Sequence, residues 1–177
     1  MTEFREILKK KVDSLFLVVW PPWGEEKESD IDISFGFVFK DEPNRLCIIS
    51  IDKDELWSPY VFYQSLPQNK YPWEDFYTRM KMWMKAEDDN CIIDTEFYDV
   101  TECVLFEKIV NSKIIGIELM IIEGNPEPFG VKILFENDYI ISTPISDGNT
   151  VQTSQFNQNN NIDVFKNIGK IVYKEIT

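Results

Sequence analysis

From Ile31 to Phe39 the chain alternates, with Ile31, Ile33, Phe35, Phe37 and Phe39 on one side and Asp32, Ser34, Gly36 and Val38 on the other. A period of two predicts a half-buried strand whose polar side, with Asp30 and Asp32, faces solvent. Asp41-Glu-Pro-Asn44 interrupts the pattern as a turn, and Arg45–Ile51 follows as the returning arm of a hairpin. Upstream, Phe4, Ile7, Leu8, Val12 and Leu15 recur at helical spacing, which predicts an amphipathic helix over Thr2–Ser14. Phe16–Trp20 is a continuous apolar run, predicted as a buried strand. Pro21 and Pro22 end it because proline has no N–H for a ladder.

Pro59–Gln64 reads as a short strand or an irregular Tyr/Phe-rich segment. Trp73, Phe76, Tyr77, Met80, Trp83 and Met84 return to helical spacing behind Pro72, which predicts a helix over about Trp73–Ala86. Core packing is the plainer use of that stripe. Farther on, Glu102–Val110 and Lys113–Glu123 flank Asn111-Ser112 as one hairpin, and Phe129–Glu136 and Tyr139–Thr143 flank Asn137-Asp138 as another. Asp147-Gly148-Asn149 is a turn before Thr150–Ser154, and Gln155–Asn161 is an Asn/Gln-rich loop. A brief helix near Asp163–Asn167 and a strand over Lys170–Ile176 complete the pattern. The fold class expected is α+β: a single domain over 1–177, with 1–90 and 91–177 as candidate sub-lobes. It is a twisted, mainly antiparallel β-sheet with two or three helices packed on part of it.

Composition narrows the chemistry more than it adds to it. The 177 residues contain no histidine, so a Ser–His–Asp triad, a Cys–His pair and a His-ligated zinc are ruled out. Thirty-one acids against 18 bases leave a formal charge of −13, which opposes binding to a nucleic-acid backbone. The N-terminal residues lack the apolar core of a signal peptide and no run is long enough for a membrane span, so a cytoplasmic protein without a membrane partner is expected. Cys47, Cys91 and Cys103 lack metal-ligand spacing and suit reduced thiols.

The acids are unevenly spread. Glu87, Asp88, Asp89, Asp94, Glu96, Asp99 and Glu102 place seven carboxylates and no base within residues 87–102. Such a run is either a solvated edge or an electrostatic docking surface for a basic protein. Asp30, Asp32, Asp52, Asp54 and Glu55 offer oxygen ligands but do not match a calcium loop, so no metal and no cofactor is expected. A two-carboxylate enzyme stays a third reading, with no catalytic pair singled out.

Trp20-Pro-Pro-Trp23 carries two large rings on a stiff extended segment, and Trp57-Ser-Pro-Tyr60 repeats the combination. Capping one end of the sheet is the plainer role. The sharper one is an aromatic contact surface built from Trp20, Trp23, Trp57 and Tyr60. Lys113–Leu119, Gly130–Ile141, Ser146–Asn149 and Ile168–Ile176 together resemble small uncharacterised bacterial proteins, some of them like the immunity proteins of polymorphic or contact-dependent toxin systems. The resemblance implies a protein that binds and neutralises a cognate toxin, with an acidic face where that toxin is a basic nuclease. The expected function is therefore a non-enzymatic acidic binding module, an immunity or inhibitor protein for a basic bacterial toxin. The alternative is an accessory domain that forms a homo-oligomer through its aromatic surface.

Overall fold

The computed structural model describes residues 2–22, 31–51, 58–86, 93–145, 148–158 and 162–177. They form two β-sheets and three short α-helices, a mainly-β architecture where the hydrophobic pattern predicts one sheet. The first sheet contains β1 (Val12–Trp20), β2 (Asp32–Phe39), β3 (Glu42–Ile51), β4 (Pro59–Ser65), β5 (Tyr71–Pro72) and β6 (Glu96–Asp99). Its order is β4-β3-β2-β1-β6-β5, antiparallel except for the β5–β6 pair. The second contains β7 (Gly116–Ile122), β8 (Pro128–Leu134), β9 (Tyr139–Ile145), β10 (Gly148–Gln152) and β11 (Ile171–Glu175), antiparallel in the order β10-β9-β8-β7-β11.

The main core lies between the sheets. Leu15, Leu17, Val19, Ile33, Phe35, Phe37 and Phe39 meet Ile117, Leu119, Val131, Ile133, Ile140 and Val151. Phe37 joins the two layers, with its ring 6.0 Å from Phe39 and 6.3 Å from Phe135. Burying one such ring contributes roughly 1.5–3 kcal/mol, so the Phe-rich side of β2 is a principal source of stability. The opposite side of β2 is not the solvent face the alternation predicts. Val38 packs with Phe16, Val18, Leu46 and Ile48 in a second cluster, and Ser34 is buried. Gly36 shows how close that packing is, since a Cβ there would sit 3.0 Å from Leu46.

Other expectations change for local reasons. Helix α1 stops at Ile7 instead of Ser14, because Lys9 is left-handed (φ 65°) and turns the chain. Val12 and Leu15 then belong to β1, whose pairing with both β2 and β6 outweighs their helical spacing. Residues 102–110 form no strand. A 3-10 turn at Val104–Phe106 and the turns after it bury Phe106 and Ile109, three residues apart. Helix α2 (Phe76–Met84) follows a 3-10 turn at Trp73–Asp75 and buries Phe76 and Met80. Helix α3 (Ile162–Ile168) covers the outer side of the second sheet, with Phe165 stacked on Phe129 at 4.1 Å. No helix among the described residues is long and apolar enough to cross a membrane.

One contact locks the sheets together. The β2–β3 ladder ends at Phe35↔Ile49, so beyond it β2 meets β3 through the Ser34 Oγ bond to Ser50 Oγ (2.8 Å) and not through paired backbone. Asn149 of β10 fills that gap. Its Nδ2 donates to the Ile33 carbonyl (2.9 Å) and Ser34 Oγ (3.3 Å), and its Oδ1 accepts from Ser142 Oγ (3.0 Å).

Candidate functional site

Strand β1 runs between two ends of unlike character. At its start, Lys9, Lys10 and Lys11 turn the chain out of α1. Lys40 N–H donates to the Lys11 carbonyl at 3.0 Å, and Lys11 bridges Lys113. Five of the 18 basic residues therefore gather at this end, and Lys9, Lys10, Lys11 and Lys40 line a hollow of about 330 Å³ together with Glu6, Leu8 and Asp41. Among them Lys10 is neutralised locally, by Glu42 and by Asp41 at 3.7 Å. The three-lysine run is visible in the sequence; its meeting with Lys40 and Lys113 is not.

At the other end of β1 stands Trp20, with half its surface exposed. The register sets Asp32 beside it on β2, and places Glu96 of β6 opposite Val19. The chain ahead of β6 thus extends past Trp20 with Asp94 exposed and accepting from the Thr95 N–H at 2.8 Å. Tyr60 opens β4 at the same end, opposite Ser50, and is half-buried with its ring stacked on Phe62 at 5.4 Å. Three strand spacings, roughly 14 Å, separate its strand from that of Trp20. Trp23, Trp57, Glu87, Asp88, Asp89, Cys91 and the metal-ligand candidates Asp30, Asp52, Asp54 and Glu55 lie outside the described residues.

The four described acids of 87–102 do not share a face. Glu96 is buried and accepts from Arg79 Nε at 3.1 Å, from Arg79 Nη2, from Trp83 Nε1 at 2.9 Å and from the Tyr98 hydroxyl. Burial pushes its carboxyl up, but the hydrogen bonds from Arg79, Tyr98 and Trp83 win and hold it below the usual carboxylate range. The Arg79 guanidinium also lies over the Tyr71 ring, 3.8 Å from its centroid. Asp99 pairs with Lys70 at 2.7 Å, and that pair with the Thr101 bonds outweighs burial and lowers its carboxyl too. Glu102 is exposed but follows β6 toward the lysine end, away from Asp94. Glu96 and Asp99 are thus engaged within the fold.

Other reactive groups are enclosed. Burial pushes the Cys47 thiol up to about 12, against a hydrogen bond with Tyr63, and raises Cys103 as well. Such thiols are poor nucleophiles. Asp32, expected at the surface, is mostly buried, and its carboxyl is raised by desolvation against one hydrogen bond from the Asn149 N–H. Among the described residues no group of three His, Cys, Asp or Glu side chains converges in a way that could hold a metal ion. Comparison with protein-family models, with curated proteins and with solved structures finds no match. The functional reading rests on the residues of this chain.

Proposed function

We propose that this chain is a non-catalytic binding module that engages a basic protein with the Trp20 end of its first sheet, as an immunity protein engages a nuclease-type toxin. The observation that carries the reading is the polarity of β1. Five lysines, of which Lys10 is paired with Glu42 and Asp41, collect at one end, and the half-exposed Trp20 and the exposed Asp94 mark the other. A positive partner is repelled from the first end and drawn to the second. Trp20 supplies the kind of aromatic anchor that dominates interface energetics, and Asp94 supplies complementary charge, to which Glu87, Asp88 and Asp89 add as its near neighbours in sequence. The proposed surface does not draw on Glu96, which is buried, on Asp99, which is paired with Lys70, or on Glu102, which leads away from it.

The test is association with a basic protein captured by this chain from its native host, purified and measured at rising ionic strength. The expected result is binding that weakens with salt, and weakens at least tenfold both in Trp20→Ala and in the triple reversal of Glu87, Asp88 and Asp89 to Lys. Binding that ignores salt and both variants would overturn the proposal.

A further inference from the structure

Three stretches of chain meet at the start of β1: the turn out of α1, the turn between β2 and β3, and residues 111–115 ahead of β7. Their backbones are tied to one another. Lys9 N–H donates to the Ile114 carbonyl at 2.9 Å, Ile114 N–H donates to the Lys10 carbonyl at 3.1 Å, and Lys40 N–H donates to the Lys11 carbonyl at 3.0 Å. The lysines of the hollow therefore stand on a fixed frame, and binding has only their side chains to order.

That frame is strained without a ligand. Lys11 lies directly opposite Lys113 in an isolated antiparallel bridge, where like charges destabilise the pair. Lys9 holds a left-handed backbone (φ 65°), a conformation that glycine or asparagine takes more readily. Lys10 is satisfied by Asp41, by Glu42 and by the Phe39 ring, 5.2 Å from its ammonium. Among the described residues, Lys9, Lys11, Lys40 and Lys113 form no ion pair. Glu6, Asp41 and Glu42 against the five lysines leave a local charge of +2 in a chain of −13. An anion placed among the four unpaired ammoniums relieves their mutual repulsion.

The lining names the class of anion. At about 330 Å³ the hollow is near the small end of ligand sites. Leu8 is its one apolar lining residue and no aromatic ring lines it, so a nucleobase has nothing to stack on. All five cations are lysines, point charges that suit the dense charge and divergent oxygens of phosphate. The planar fork of arginine, which matches a carboxylate, is missing from this group. Glu6 and Asp41 in the wall, and the negative charge of the rest of the chain, repel a polyanion long enough to run beyond the hollow. We propose that the lysine hollow at the start of β1 binds a compact oligophosphate, held by the Lys9, Lys11 and Lys40 ammoniums, with Lys113 adding to the field.

Isothermal titration calorimetry of the full chain with inorganic tripolyphosphate at low salt tests this. One saturable site is expected. Lys9→Gly removes an ammonium and relaxes the left-handed backbone, so it is expected to melt no lower than wild type and yet bind more weakly. Adding Lys40→Gln to it is expected to weaken binding at least tenfold. The control is Lys166→Gln with Lys170→Gln, which removes two ammoniums already paired with Asp163 at 2.6 Å and Glu123 at 3.0 Å. That double variant is expected to leave the affinity unchanged. Absence of saturable binding overturns the proposal. So does equal weakening by the two double variants, which marks a general attraction of anions to lysine. A DNA oligonucleotide that binds the same lysines more tightly than tripolyphosphate also overturns it, because the site then reads an extended backbone.

Discussion

The backbone N–H of Asn149 donates to Asp32 Oδ1 at 2.9 Å, tying the start of β10 to the start of β2 across 117 positions of sequence. The bond only partly offsets the burial of Asp32, whose carboxyl is raised. A raised acid binds its proton more tightly in the folded chain, so its contribution to stability is full below the ordinary carboxyl range and is lost as pH rises through the folded value. Asp32→Asn keeps the acceptor oxygen without the charge. It is expected to melt higher than wild type at pH 7, with the gap closing as the solution is acidified below the ordinary value of 3.8.

Glu96 has the opposite sign. Its lowered carboxyl contributes stability that is present above the ordinary value of 4.5 and is lost as pH falls through the folded value. Removing it leaves Arg79 without its partner beside a buried strand, and breaking a buried pair this way costs about 3–5 kcal/mol. Denaturant unfolding of Glu96→Ala, Arg79→Ala and the double variant checks this. The double variant is expected to lose clearly less than the sum of the singles.

Asn149→Ala leaves the Ile33 carbonyl and the Ser142 hydroxyl without their amide partner, while Ser34 Oγ keeps its bond to Ser50 Oγ at 2.8 Å. An expected loss of roughly 2–6 kcal/mol follows from about 1–3 kcal/mol for each of the two orphaned buried groups, read as a lower midpoint in urea.

Two glycines separate crowding from backbone strain. A Cβ on Gly148 would lie 2.6 Å from the Asp32 Cβ, whereas at Gly124 (φ +89°) nothing lies within 4 Å. Gly148→Ala is expected to cost about 1–3 kcal/mol by forcing β10 away from β2. Gly124→Ala bears only the left-handed backbone penalty, about 1 kcal/mol. Equal losses in thermal melts would contradict this account.

How much of this was legible beforehand depended on how local the cause was. The alternation over Ile31–Phe39 identified β2 and its core side, because period two follows from the backbone alone. It misassigned the other side, since Ser34, Gly36 and Val38 are covered by neighbours that a single strand does not reveal. Val12 and Leu15 have the spacing of a helix face, and their place in β1 depended on partners in β2 and β6. Asn149 looked like a turn residue, and its role needs the carbonyl of Ile33, 116 positions away. The acid run read as one surface because charge can be counted along a chain. Arg79, Trp83 and Tyr98, which draw Glu96 inward, cannot be assigned to it without the fold. The exposure of Trp20 agrees with its position before two prolines, which end β1 and leave the ring at the rim.

The lysine-lined start of β1 also acts on how the molecule turns. Charge separated along a strand of nine residues, about 30 Å at the usual rise, gives the protein a permanent dipole, and in the field of an approaching cationic surface it feels a torque as well as a pull. If the proposed binding mode holds, that torque swings the lysines away and presents Trp20 before contact. Neutralising Lys9, Lys11, Lys40 and Lys113 should then leave the lifetime of a complex unchanged while altering the fraction of encounters that arrive in the productive orientation.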